Sequence, residues 1–397
     1  METYLLDWAN LLLRWAHVVV AIAWIGSSFY FVFLDSNLTA PTDPALKAKG
    51  VDGELWAVHG GGFYHPQKYL VAPKQLPAKL HWFYWESYST WLTGFALFTV
   101  LYLVQAGTFL IDPRVHAWSA PAAIAASLAF LAAFWFVYDG ICRAWGQRAG
   151  GERIVGALVC AVVVLASWLA CQLFAGRAAF LLVGAMMATA MSANVFFWII
   201  PGQRAVIAQM KAGQPVDPVH GRRGKQRSVH NTYFTLPVLI AMISNHYGFL
   251  YGAAQHWLVL VLLMAAGALI RHFFVARHRA RLLGRPLPWA YAVAGCVLLM
   301  GVVAWLMPTR PAPGGAAPVS FAQVQAIVAQ RCVLCHNAQV NSKNVQLHTP
   351  ALIVQHALQI KQQAVLHKTM PLNNATQMTD AERALLGRWV EAGAPGP

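Results

Sequence analysis

Apolar residues gather into eight runs of about twenty, near 11–34, 89–110, 119–139, 154–174, 178–200, 232–251, 255–276 and 288–307. A helix rises ~1.5 Å per residue and the hydrocarbon layer is ~30 Å thick, so each run is long enough to cross it. A barrel strand needs about ten residues, and a segment in lipid must satisfy its own backbone, so these runs predict helices. The first run is too long for a signal-peptide core and no small-residue cleavage site follows it, which reads as a retained first span. The expected fold class is all-α: an eight-span transmembrane bundle followed by a small helical domain. No internal repeat and no convincing strand pattern is visible.

Composition agrees. The 397 residues are 58% hydrophobic and 11% charged, against about 25% charged in soluble domains. The net charge of +15 does not form a nucleic-acid-binding face, because the positive residues cluster between apolar runs. Connections after the first, third, fifth and seventh runs carry eighteen Lys and Arg, and the alternate ones carry only Arg114 and Arg177. The positive-inside rule then puts both termini outside, in the periplasm of a Gram-negative cell. Cys142, Cys160, Cys171 and Cys296 stand alone in or beside apolar stretches and read as small buried hydrophobes.

After residue 307 the pattern changes. Residues 308–319 are rich in Pro, Gly and Ala and predict a flexible linker between a membrane domain (1–307) and a polar domain (320–397). A helical period returns over 321–330 and 380–392. Between them lies Cys332-Val333-Leu334-Cys335-His336, the spacing for covalent c-type haem attachment. Two thiols add to the vinyl groups and the imidazole becomes the proximal iron ligand. A zinc site would need more thiolates or paired histidines. Met370, followed by Pro371, is the expected sixth ligand, with Met378 as the rival; a Met/His pair suits an electron acceptor. The domain is expected to be a c-type cytochrome holding one haem c, on the outer face, where the charge count also puts it.

Several strings in the membrane domain are more specific: Arg14-Trp15-Ala16-His17, residues 23–30 (AWIGSSFY), 53–64 (GELWAVHGGGFY), 81–91 (HWFYWESYSTW), 230–237 (HNTYFTLP) and 244–247 (SNHY). In these the chain resembles the bacterial membrane-bound urate hydroxylase family, over essentially its whole length. The resemblance implies an eight-span urate oxidase domain fused to a cytochrome c. It further implies that urate becomes 5-hydroxyisourate with water as the oxygen source, and that electrons leave through the cytochrome to a respiratory cytochrome or terminal oxidase. The expected setting is the bacterial inner membrane, with lipid and urate as partners and a homo-oligomer left open. The alternative class is a quinol-linked b/c-type electron carrier without urate activity; anchoring alone would need only one span.

Ionisable residues inside spans are functional candidates. His17 and His246 are expected at similar depth, about 9 and 8 Å below the outer face at ~1.5 Å per residue, where they could clamp a haem b. His81, His230 and His272, with Asp35, Glu86 and Asn194, form an inner set that could hold a second haem b or line a cavity. Hydrogen bonding between helices explains any one of these histidines equally well. The long connection 35–88 is aromatic. Urate is a flat monoanion that wants a ring platform, a cation and amide-like partners. Phe63, Trp82 and Trp85 are candidate platforms, against an interfacial aromatic belt. Gln203 and Arg204 are the candidate fork for purine oxygens and nitrogens. Glu86, His59 and His81 are candidate bases, unranked. Gly60, Gly61 and Gly62 read as a close backbone approach or a turn.

Overall fold

The structure is a computed structural model that describes residues 2–69, 73–307 and 319–397. The expected linker therefore lies, Val319 apart, outside the described residues. Helix dominates. Long helices fall on all eight apolar runs: α1 (Glu2–Asn37), α2 (Trp85–Phe98), α3 (Ala120–Trp145), α4 (Gly151–Leu173), α5 (Gly176–Asn194), α6 (Pro218–Ile243), α7 (His256–Leu282) and α8 (Trp289–Trp305). α2 runs on as a π-turn, Thr99–Leu103, and α5 continues through the π-turn Val195–Ile199 into the helix Ile200–Lys211. Among the described residues, five helices are long and apolar enough to cross a membrane: Tyr4–Asn37, Ala120–Trp145, Gly151–Leu173, Gly176–Lys211 and His256–Leu282. Trp289–Trp305 is apolar but shorter.

α5 is the hub, packed against α2, α3, α4 and α6. Its sequence explains this. Ala178, Ala179, Gly184 and Ala190 are small on several faces, so neighbouring backbones come close, while Phe180, Leu182, Met186 and Met187 fill the gaps and are fully or almost fully buried. A Cβ on Gly184 would sit 2.9 Å from Ala241 Cβ of α6. Outward-facing residues of α1, such as Leu11, Trp15 and Ile22, remain exposed.

Three expectations need correction. First, α6 starts at Pro218, capped by the Asp217 side chain on Val219 N–H at 2.8 Å, and stops at Ile243. A 3₁₀ turn, Ser244–His246, follows. The Asn245 amide oxygen accepts from Tyr102 Oη at 2.7 Å and Arg177 Nε at 3.2 Å, and tertiary bonding of this polar stretch replaces a further helical turn. Second, Arg222, Arg223, Lys225 and Arg227, expected in a loop, lie inside α6. Third, residues 51–69 form strands. β1 (Val51–Glu54) pairs antiparallel with β4 (Gln67–Tyr69), and β2 (Ala57–His59) with β3 (Gly62–Tyr64), as one nested hairpin. Gly60 and Gly61 have φ of +59° and +80°, the left-handed pair that a two-residue hairpin turn demands, so the glycines serve a turn. Of the four lone cysteines, Cys142 and Cys171 are buried and Cys160 and Cys296 are exposed.

Among the described residues, a paired charge cluster is buried in the bundle. Arg227 and Asp139 are 2% and 7% exposed. Arg227 donates to Asp139 Oδ1 at 2.6 Å, Trp198 Nε1 donates to the same oxygen at 2.8 Å, and Arg143 Nε meets Oδ2 at 2.6 Å. The guanidinium also lies over the Tyr138 and Trp198 rings, each at 5.0 Å. The other Arg227 arm donates to Asn194 Oδ1 at 3.3 Å, and Asn194 Nδ2 donates to Asn231 Oδ1 at 2.8 Å and to Tyr138 Oη at 2.9 Å.

The C-terminal part comprises α9 (Phe321–Arg331), α10 (Pro350–Gln355), α11 (Ala357–Ile360, running into the π-turn Lys361–Leu366) and α12 (Asp380–Glu391). Both expected helical periods are helices here. α9 and α12 each open with a capping box, Ser320 with Gln323 and Thr379 with Glu382. Their apolar faces meet with Ile353 in a separate core of Val324, Val328, Leu386 and Trp389.

Arg227→Ala leaves the Asp139 carboxylate without its buried partner. It is expected to destabilise the bundle by about 3–5 kcal/mol, measured as earlier thermal unfolding in detergent, whereas Arg222→Ala at the exposed start of α6 changes little.

Candidate functional site

Two places gather the chemistry-bearing residues. The first is a cleft of about 510 Å³ beneath the loop that leads into α2. His81 and Trp82 come from that loop, Gln203 from the extension of α5, and His220, Lys225 and Ser228 from the first half of α6. The size suits a small planar ligand. Lys225 supplies a cation, and Gln203 both a donor and an acceptor. Arg204 is beside the cleft with its guanidinium 5.8 Å from the centre of the Trp82 ring. The α5 extension exists because a π-turn at Val195–Ile199 carries the helix past Pro201. Gln203 and Arg204 thus sit on a rigid helix.

The other loop candidates do not join this cleft. His59 pairs with Gly62 at the hairpin tip, and Phe63 is 78% exposed. Trp85 is exposed on the first turn of α2, edge-on to Tyr88 with ring centres 6.1 Å apart. Glu86 shares that turn, and its Oε2 is buried without a hydrogen-bond partner. Asp35 pairs with Lys68 at 2.6 Å.

The histidines divide as follows. His17 turns its Nδ1 to the Thr90 carbonyl at 3.1 Å and to Thr93 Oγ1 at 3.2 Å, with its ring on Gly94, where a Cβ would come within 2.8 Å. His246 is exposed on the 3₁₀ turn past α6, not within a span. No ring contact joins the two among the described residues. Tyr138 Oη, which accepts from Asn194, donates to His230 Nδ1 at 2.8 Å. Tyr233 Oη donates to His272 Nδ1 at 2.5 Å. His81 stands edge-on to Phe83, centres 4.7 Å apart. Among the described residues no three His, Cys, Asp or Glu side chains converge on one point.

The second place is the loop system after α9. His336 Nδ1 faces the Val345 carbonyl at 3.0 Å and so carries the proton that it donates, which leaves Nε2 as the lone-pair nitrogen. Cys332 is half-buried at the end of α9 and Cys335 is exposed. Burial raises the Cys332 thiol to about 11. Met370 is half-buried at the edge of the same core as Cys332 and Val333, while Met378 is 3% exposed inside it. The donor set fits a porphyrin: two thiols, an imidazole held by its far nitrogen, and a thioether not used up by the core.

Sequence reasoning missed the residues that fix these loops. Arg383 is 4% exposed; it donates to the carbonyls of Ala364 and Met370, the latter at 2.7 Å, and to Asn374 Oδ1 at 3.1 Å. Arg331 donates to Glu382 at 2.9 Å and to the Thr376 carbonyl at 2.6 Å, tying the Met370 loop to the helix that ends at Cys332. The Asp139–Arg227 cluster was also missed, though a lone aspartate in an apolar run was a readable signal. Arg271, 5% exposed on α7, lies over Phe29 at 4.3 Å. Its spacing of one residue from His272 offered no clue.

The molecule is thus a helical bundle with several helices able to cross a membrane, a largely apolar cleft with a few polar side chains near one end, and a small helical C-terminal part. The chain belongs to the urate oxidase N-terminal family, whose model matches residues 3–307. That family marks it as a urate-related oxidoreductase. No curated protein and no solved structure matches it.

With nothing attached to its thiols, the chain should show unequal cysteines. At pH 8 a thiol with a pKa of about 11 is about one part in a thousand thiolate, and the thiolate is the nucleophile. Iodoacetamide is expected to label Cys335 well before Cys332, read by peptide mass spectrometry.

Proposed function

We propose that this chain is a membrane-bound urate hydroxylase that converts urate and water to 5-hydroxyisourate, two protons and two electrons, and passes the electrons to its own C-terminal domain. The observation that carries the reading is the cleft lined by His81, Trp82, Gln203 and Lys225, with the Arg204 guanidinium beside it 5.8 Å from the Trp82 ring centre, in a chain that belongs to a urate oxidase family. Trp82 offers the purine a ring face. Lys225 and Arg204 offer positive charge to the urate anion, and Gln203 matches its alternating carbonyl and N–H edge. His81 lines the cleft and serves as the acceptor for the proton released as water attacks.

All eight long helices cross the inner membrane in this reading, with the cleft toward the cytoplasm and the C-terminal domain in the periplasm. A c-type haem would be held by Cys332, Cys335, His336 and Met370, and would supply a one-electron acceptor. His336 is pre-turned for that role by the Val345 carbonyl, and Arg383 holds the backbone of Met370. A haem b in the membrane domain remains a proposal on His17. The Nδ1 of His17 is anchored to a backbone carbonyl in the manner of iron-ligating histidines. His230 and His272 instead have Nδ1 engaged by tyrosines. Electrons leave for a respiratory cytochrome or terminal oxidase.

In anaerobic membranes, urate is expected to lose its ultraviolet band as a reduced c-type band grows, two bands' worth of electrons per urate. Growth only with quinol would select an electron carrier instead. Arg204→Ala is expected to raise KM for urate about tenfold or more with kcat nearly kept, since a charge-assisted hydrogen bond contributes about 1.5–3 kcal/mol. Unchanged kinetics would clear Arg204 of binding. Met370→Ala is expected to retain covalent haem but lower its potential, and a redox titration of the c-band checks this.

A further inference from the structure

The C-terminal part does not hang free of the bundle; one loop touches it. Asn373 Nδ2 donates to the carbonyls of Thr108 at 2.6 Å and Ile111 at 3.0 Å, in the turn between α2 and α3. Asn373 has a left-handed φ of +47°, a conformation that asparagine tolerates better than most residues. On the same loop, Thr369 and His367 lie against the turn Gly248–Tyr251 and Gly252, which link α6 to α7. A Cβ on Gly248 would overlap Thr369 Cγ2, and one on Gly252 would overlap the His367 carbonyl oxygen. Phe249 and His367 have ring centres 6.0 Å apart. Met370 lies between these anchors in sequence, three residues from Asn373 and one from Thr369.

This contact is at a defined end of the bundle. Ala175 N–H donates to the Leu110 carbonyl at 3.1 Å, so the docking turn adjoins the start of α5. Gln203 of the cleft lies 27 residues further along the same helical rod, about 40 Å away at ~1.5 Å per residue. The loop that carries Met370 therefore docks at the end opposite the cleft.

We propose that residues 367–373 form the face by which the C-terminal domain receives electrons from the membrane domain, and that Gly248, Gly252 and Asn373 are the positioning residues that seat it. The inference rests on the function proposed above. It adds the location of the transfer: electrons relayed from the cleft by a membrane-domain haem of the kind proposed on His17 arrive one at a time on the Met370 side of the domain, past the α2–α3 and α6–α7 turns, not on the exposed Cys335 side. That leaves the Cys335 side free to hand electrons on. Residues 308–318 keep the domain tethered, so undocking lowers the time spent seated rather than releasing the domain.

The test uses the full-length holoprotein. Asn373→Gly keeps the left-handed backbone and removes only the two side-chain bonds. Gly252→Val attacks the same contact from the membrane side. Three properties are read: amide hydrogen exchange of residues 248–252 and 367–374, the rate at which urate reduces the c-band, and the c-band potential. Losing two hydrogen bonds is expected to weaken docking about tenfold. Exchange in both segments should rise and urate-driven reduction should slow about as much. Reduction by dithionite and the potential should stay as in the parent, which shows an intact haem site. Unchanged exchange, or faster exchange with an unchanged urate-driven rate, would overturn the proposal. A parent protein with protected segments but no urate-driven reduction would instead sink the proposed function, and the electron-entry role with it. Gly252→Val that fails to fold leaves Asn373→Gly to decide.

Discussion

Polar groups inside an apolar bundle must find partners within the protein, and the arrangement around Asp139 meets that demand. A carboxylate and a guanidinium away from water cost several kcal/mol each unless their hydrogen bonds are made. Here Arg227, Trp198 and Arg143 share the two oxygens of Asp139, while Asn194 and Asn231 carry the chain of bonds onward to Met191 O at 3.0 Å. The cluster ties α3, α5 and α6 together near one end. It also fixes the register of the first half of α6, the segment that contributes Lys225 and Ser228 to the cleft. The cleft depends on the ion pair because both sit on one helix, with Ser228 next to Arg227.

α5 gives the molecule its long axis. Its small residues allow four neighbours to pack on it, and its extension past the π-turn carries Gln203 and Arg204. At its other end, Ala175 and Leu110 join it to the turn on which Asn373 is seated. A ring series along α2 spans much of the same distance: Trp91 stacks on Phe95 at 5.2 Å, Phe98 on Tyr102 at 5.6 Å, and Tyr102 meets Phe109 at 6.1 Å. These rings stiffen the wall between cleft and docking turn. The cleft at one end and the C-terminal part at the other are thus joined by one continuous helical element and its immediate neighbours.

The C-terminal part shows how a loop is held without regular structure. Residues 332–336 and the Met370 loop belong to no long helix. Two buried or half-buried arginines replace a backbone ladder. Arg331 reaches from α9 to Glu382 and Thr376, and Arg383 reaches from α12 to Ala364, Met370 and Asn374. Each side chain gathers carbonyls from separate turns, so the position of Met370 follows from the packing of α9 on α12.

Much was legible along the chain because the information was periodic or contiguous. Long apolar runs gave the eight helices, a 3.6-residue period gave α9 and α12, and Cys332, Cys335 and His336 could be read together because one turn of chain carries them all. Trp82 with Gln203 and Arg204 was readable only as residue types that suit a purine. The meeting of Trp82 and Gln203 in one cleft, with Arg204 beside it, required the α5 extension and the early start of α6. The hairpin at residues 51–69 escaped notice because its period-2 signal is short and broken by glycines, and its formation removed His59 and Phe63 from the cleft. His246 moved out of a span because Asn245 gained tertiary partners that no local pattern announces. Composition and spacing thus determined which long segments are helical and which are apolar. Tertiary structure alone decided which distant side chains share a pocket or an ion pair, since those pairings depend on helix packing across the bundle and leave no trace in neighbouring residues.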